Sequence, residues 1–205
     1  MNKQKLNLNL TITATLALIF GTAMANTNSV WAATIHCPNE PPAAGLLRCI
    51  GTNSADNMEG TAKDDFMRGV LGNDRMSGLA GNDQMFGEPG DDTMSGSTGD
   101  DIMLGGNDND KVYGNSDDDL VRGNNGNDKV YGNSGHDKVE GSAGADLIYG
   151  DSGNDVLFHD SEDRGIAPDF SKDAIYCGSG DDTAYINSSV DGDTADDDCE
   201  TVHRG

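Results

Sequence analysis

Between Gly51 and Phe158 a single apolar side chain returns every nine residues, and small or polar residues fill the spaces. The apolar positions are Met58, Met67, Met76, Met85, Met94, Met103, Val112, Val121, Val130, Val139, Ile148 and Leu157. Two residues before each stands an Asp, from Asp56 to Asp155, and seven before each a Gly, from Gly51 to Gly150. A period of nine does not fit the helical repeat, and glycines this frequent would cost up to about 1 kcal/mol each inside a helix. The pattern predicts a turn made by the glycines, which tolerate positive φ, and then an extended segment at positions seven to nine. Neighbours on a strand face opposite sides. The eighth side chain therefore points into a core, and the seventh and ninth point outward, among them Lys111, Lys129, Lys138, Tyr113 and Tyr131. One such unit reverses the chain once, so two bring it back to the starting side. The predicted coil is 18 residues, the spacing at which NDKVYGNS recurs, at Asn109–Ser116 and Asn127–Ser134.

Composition pulls the other way. The formal charge is −23, aromatic residues are 5% and there are 28 glycines, which by itself describes a disordered acidic chain. Three positions held in phase through twelve consecutive units argue for a folded repeat. Six coils at strand spacing would form a rod about 30 Å long. Its core is thin, with one apolar side chain per nine residues to set against the entropy of ordering all nine. Something besides apolar burial has to hold it.

The units resemble the RTX, or haemolysin-type, calcium-binding nonapeptide G-G-x-G-x-D-x-U-x, in which U is a large apolar residue. GLAGNDQMF (Gly78–Phe86) and GNNGNDKVY (Gly123–Tyr131) match it closely, and the resemblance covers about half the chain. The second Gly is present only as Gly106, with Asn115, Asn124 and Asn133 standing there in other units. The fourth-position Gly is kept in eight units and replaced by Ser54, Lys63, Asp108 and Asp117 in the rest. The resemblance implies an all-β fold, a right-handed parallel β-roll (a β-solenoid) of 18-residue coils with two facing sheets, to which the cysteines add disulfide-closed end caps. It also implies Ca²⁺ in the turns. The ligands would be Asp74, Asp83, Asp92, Asp101, Asp110, Asp119, Asp128, Asp137, Asp146 and Asp155, with the turn residues Gly72, Gly81, Gly90, Gly99, Gly126, Gly135, Gly144 and Gly153.

Charge and core size point to the same ligand independently. Residues 18 apart share an edge, so one edge carries Asp56, Asp74, Asp92, Asp110, Asp128 and Asp146. The other carries Asp65, Asp83, Asp101, Asp119, Asp137 and Asp155. Stacked carboxylates repel, and a hard cation taking 6–8 oxygens from carboxylates and carbonyls resolves this. Ten gaps lie between successive loops, the weakest being those that use the Ser54 and Lys63 turns. The expectation is about eight to ten Ca²⁺ ions. An EF-hand is excluded, because Asp108–Asp119 has no terminal Glu and no flanking helix pattern. The Met row is read as core rather than a soft-metal site. The acidic run at Asp191–Asp198 is read as a solvated face, and His36, His136, His159 and His203 as surface residues.

The ends carry different signals. Residues 1–25 read as a secretory signal, with Lys3 and Lys5, an apolar run from Leu10 and the Ala23-Met24-Ala25 cleavage pattern. Its removal takes the formal charge from −23 to −25, which excludes nucleic acid as a natural partner. Residues 26–50 are expected to form an N-terminal cap, 51–158 the twelve repeats, and 159–205 degenerate repeats with a C-terminal cap. In that last part Asp173 and Asp182 keep the sixth position, and Ile166, Ile175 and Ala184 keep the eighth. Four cysteines allow three pairings. Proximity favours Cys37–Cys49 and Cys177–Cys199, which suits an exported chain and closes sheet ends that would otherwise invite association.

These features predict a secreted, monomeric calcium-binding roll that is not an enzyme, in the medium, the periplasm or at the cell surface. Too few residues precede the repeats for a catalytic domain, and no His-Ser or zinc motif stands out. The alternative is an adhesion module whose calcium only maintains a scaffold for contact with glycan or a cell surface. The outer row Tyr113, Tyr131 and Tyr149 is its best feature. Ice binding would want regular outer Thr rows, and these are missing.

Overall fold

A computed structural model of the chain describes residues 33–37, 47–160, 171–186 and 192–204. The signal segment, Ile166 and Asp191 lie outside these. The described residues form strands and turns only, with no helix among them, and so none long and apolar enough to cross a membrane.

Successive strands alternate between two nine-stranded parallel sheets. The first stacks Ala33–His36, Asp56–Glu59, Arg75–Ala80, Thr93–Thr98, Lys111–Ser116, Lys129–Ser134, Leu147–Ser152, Ala174–Ser179 and Thr194–Ala195. The second stacks Leu47–Ile50, Asp65–Arg68, Gln84–Pro89, Ile102–Asn107, Leu120–Asn125, Lys138–Ala143, Val156–Phe158, Thr183–Ile186 and Thr201–Arg204. Within the repeats the register is 18 residues: Val112 pairs with Val130, and Lys111 and Tyr113 with Lys129 and Tyr131. This is the expected β-roll. Caps add strands at both ends of the repeats, so nine strands per sheet extend it to about 38 Å.

The strands are longer than the sequence pattern suggests. Most run six residues, from position seven through the first Gly to position three of the next unit, with alternating burial. Three positions per unit therefore face inward: the apolar eighth, the first Gly and the sixth-position Asp. The apolar row from Met58 to Leu157 is buried and continues into Ile175, Ala184 and Ile186. The Met side chains are core, as expected.

Positive φ also falls elsewhere than expected. The first glycines are not among the positive-φ residues. Those occupy position four and position two, where apart from Gly106 (φ 135°) the residues are not glycine, from Val70 (φ 93°) through Asn124 (φ 81°) to Asp151 (φ 73°). The first Gly is required for space. A Cβ on Gly105 would overlap Asp110 Oδ2 and the carbonyl oxygen of Gly123.

Both disulfides form as proximity suggested. Cys37–Cys49 and Cys177–Cys199 have Cα separations of 5.0 and 5.1 Å. Cys37 follows Ala33–His36 and bonds Cys49 within Leu47–Ile50, and Cys177 within Ala174–Ser179 bonds Cys199 just before Thr201–Arg204, so each bridge joins the two sheets at one end of the roll.

Candidate metal centre

Every sixth-position Asp lies on the inner face where strand meets turn, and its two oxygens do different work. From Asp74 onward Oδ1 accepts the backbone N–H of the Asp one coil earlier, whereas Asp56 Oδ1 and Asp65 Oδ1 are buried with no partner among the described residues. Asp74 Oδ1 takes Asp56 N–H at 2.7 Å, and Asp128 Oδ1 takes Asp110 N–H at 2.8 Å. The second edge repeats this from Asp65 N–H on Asp83 Oδ1 at 2.7 Å to Asp137 N–H on Asp155 Oδ1 at 2.9 Å. The ladder continues beyond the regular repeats. Asp146 donates to Asp173 and Asp155 to Asp182, while Asp173 donates to Asp193 at 3.0 Å. The aspartates that share an edge are thus those 18 apart, as the coil predicts, and 27 apart where an extra nine residues intervene.

Oδ2 is the unexplained atom. In Asp74, Asp83, Asp92, Asp101, Asp110, Asp119, Asp128, Asp137, Asp155 and Asp182 it is buried and accepts no hydrogen bond among the described residues. Each residue is 3% exposed or less. A buried carboxylate oxygen without a donor or counter-charge is costly. Burial accordingly pushes these carboxyls up: Asp74, Asp101, Asp128 and Asp155 to about 6, Asp83, Asp92 and Asp137 to about 7, and Asp110 and Asp119 to about 8. The backbone N–H pulls each one down but does not outweigh burial. Across most of these sites, neighbouring carboxylates raise them further. Position-four carbonyls stack in the same turns. A Cβ on Gly90 would overlap the Gly72 carbonyl oxygen, and one on Gly99 that of Gly81. No described backbone hydrogen bond ends on the carbonyls of Gly72, Gly81, Gly90 or Gly99.

Rows of buried carboxylate oxygens in turns whose position-four carbonyls stack coil on coil suit a hard oxygen-seeking cation and not a soft one. The fit extends over Asp74 to Asp155 and the turn glycines Gly72, Gly81, Gly90, Gly99, Gly126, Gly135, Gly144 and Gly153. All of these glycines hold positive φ.

The first two turns differ. Thr52 donates to Asp56 Oδ2 from its N–H at 2.6 Å and its Oγ1 at 2.9 Å. Thr61 treats Asp65 Oδ2 in the same way, at 2.6 and 3.0 Å. These are the turns whose fourth residues, Ser54 and Lys63, already looked weak. Thr52 and Thr61 could have been noticed as the only position-two threonines.

Position five also carries a role that sequence reasoning missed. Asn73, Asp91, Asn109 and Asn127 each accept the N–H of the equivalent residue 18 later, at 2.8–3.2 Å. Asp64, Asn82, Asp100, Asp118 and His136 do so on the other edge. The signal was present, since nine of twelve units have Asn or Asp there.

Two expectations need correction. Asp191–Asp198 is not simply a solvated face: Asp193 is buried and extends the ladder, and Asp198 accepts Cys177 N–H and Gly178 N–H. Nor are all the histidines superficial. His36, His136 and His203 are exposed, but His159 is 3% exposed and faces Asp173 and Asp193.

The outer Tyr row forms with four rungs. Tyr113, Tyr131, Tyr149 and Tyr176 stack with centroids 4.6–4.8 Å apart and planes within 10°. The fourth was hidden by the 27-residue step from Tyr149. The interior faces of the ladder are covered by neighbouring rings, so they are not open for a sugar to stack on.

A family profile described as RTX calcium-binding nonapeptide repeat matches residues 50–85, 68–103, 86–121, 95–130 and 131–163, more than half of the chain. No curated protein matches the sequence.

Proposed function

The chain belongs to the RTX calcium-binding nonapeptide repeat family, and from that premise we propose that it is an exported, non-enzymatic, monomeric protein whose roll folds around about eight to ten Ca²⁺ ions. The observation that carries this is the row of buried Oδ2 atoms with no donor. Asp74, Asp83, Asp92, Asp101, Asp110, Asp119, Asp128, Asp137, Asp146 and Asp155 would hold the ions, together with carbonyls of the turns at Gly72, Gly81, Gly90, Gly99, Gly126, Gly135, Gly144 and Gly153. The ion supplies positive charge where the chain places none. The chain's own part is to bring carboxylates 18 residues apart onto one edge and to exclude water from them. Because those oxygens converge only in the folded coil, calcium affinity is folding energy.

Export is supported by two disulfides, which persist in oxidising compartments, and by the signal pattern of residues 1–25. Free calcium is also far more abundant outside the cytosol. We assign 26–50 and 159–205 as caps around the 51–158 repeats.

Equilibrium dialysis against CaCl₂ at neutral pH tests the reading. It predicts roughly eight to ten ions per chain, taken up together with secondary structure. A chain that binds none, or only one or two, would contradict it.

A further inference from the structure

His159 occupies the position that Gly holds in every regular unit. Its ring is buried, at 3% exposure, and neither Nδ1 nor Nε2 makes a hydrogen bond among the described residues. Nδ1 lies 3.0 Å from Asp193 Oδ2 and 3.8 Å from Asp173 Oδ2. The contact with Asp193 has the distance of an ion pair but not the alignment of a hydrogen bond. Both carboxylates are themselves buried, and their Oδ1 atoms are held by the ladder, Asp173 by Asp146 N–H and Asp193 by Asp173 N–H. One nitrogen and two carboxylate oxygens thus converge inside the last turn of the first sheet's Asp ladder.

We propose that this cluster is a metal site of a second kind, taking a borderline divalent cation, Zn²⁺ by its ligand set, through His159, Asp173 and Asp193. Calcium prefers oxygen alone, whereas an imidazole with carboxylates suits zinc. Bonds of about 2.0–2.2 Å in a tetrahedral arrangement place ligand atoms about 3.4 Å apart. The observed 3.0 and 3.8 Å lie on either side of that value. A water molecule can complete the shell. The site would pin the segment after Phe158 to the end of the roll, where the regular glycine turn is missing.

The test uses the full chain saturated with calcium, titrated with ZnCl₂ by calorimetry. One zinc per chain is expected, not displaced by calcium. His159→Gly, which restores the repeat residue, and Asp193→Asn should each weaken zinc at least about tenfold, with the calcium-dependent circular dichroism retained. In wild-type protein, imidazole NMR provides a readout that does not depend on a variant folding: zinc should shift the His159 resonances and leave those of His36, His136 and His203 in place. No zinc uptake, wild-type zinc affinity in both variants, or an unmoved His159 resonance would each overturn the proposal. Calcium folding is read separately by the dichroism, so its failure is distinguishable from failure of the zinc site.

Discussion

The turns at Asp56 and Asp65 and the turns from Asp74 onward share one backbone plan, yet treat the same oxygen in opposite ways. In the first two, Thr52 and Thr61 each bring two donors to Oδ2. Further along, the non-glycine residues two from Val70 to Asp151 are left-handed, at φ 73–93°, and Oδ2 of Asp74, Asp83, Asp92, Asp101, Asp119, Asp128, Asp137 and Asp155 receives no donor among the described residues. A hydroxyl alone is not what distinguishes them. Ser97 and Ser142 also stand at position two, but with positive φ, and the Ser142 hydroxyl goes to Glu140 instead. Left-handed backbone at a residue such as Val70 is unfavourable and persists only where its surroundings demand it. The chain can therefore satisfy this one oxygen by itself, although Asp56 Oδ1 and Asp65 Oδ1 stay buried with no partner among the described residues, and in eight later turns it holds a left-handed non-glycine residue and does not. The comparison separates turns whose Oδ2 lacks any donor from the two turns in which a threonine supplies it.

The strongest way to break that comparison is to remove one charge from each class. Asp110→Asn keeps an acceptor for the Asp92 N–H but deprives two gaps of a carboxylate. It should lose about two ions and raise the calcium midpoint for folding at least about tenfold. Asp56→Asn, in a Thr-closed turn, should leave the ion count unchanged. Equal effects, measured by calcium-monitored circular dichroism, would remove the distinction between the turns.

Acid provides the next test. Burial raises Asp110 and Asp119 from about 3.8 to about 8, and Asp74 and Asp128 to about 6. With the folded values above the unfolded ones, these groups favour the calcium-free roll fully below about pH 4, and that contribution is lost as pH rises through 6–8. Calcium-free protein should therefore gain β-structure on acidification from pH 7.4 to 4. The calcium midpoint should rise over the same change, because protons compete for the ligands. Calcium-free dichroism that does not change between those pH values would contradict the assignment of the buried carboxyls.

Two smaller effects sharpen the picture. Thr61→Val removes one hydroxyl bond to a carboxylate and should cost about 1.5 kcal/mol of stability in calcium, seen in urea unfolding with no ion lost. Tyr131→Leu keeps apolar cover but ends ring stacking on both sides. It should cost about 0.5–1.5 kcal/mol, also with the ion count unchanged.

Much of this architecture could be read from the chain itself. Gly at one, Asp at six and an apolar residue at eight are enough for the 18-residue coil, the inward row and the pairing of Asp110 with Asp128. What could not be read depended on backbone direction or on a broken period. The first Gly looked like a φ requirement and proved to be a space requirement, because only the stacked coil brings Asp110 Oδ2 and the Gly123 carbonyl against Gly105. Thr52 and Thr61 close their turns only with the φ they adopt. His159, Asp173 and Tyr176 follow or span the extra nine residues, and no fixed spacing linked them to Asp193 or Tyr149.

Far-UV circular dichroism of the disulfide-intact chain at neutral pH, with CaCl₂ and then with excess EDTA, tests the central claim most directly. The account predicts a β spectrum in calcium that collapses toward that of an unfolded chain on chelation and returns when calcium is restored. A β spectrum that persists in EDTA would contradict it.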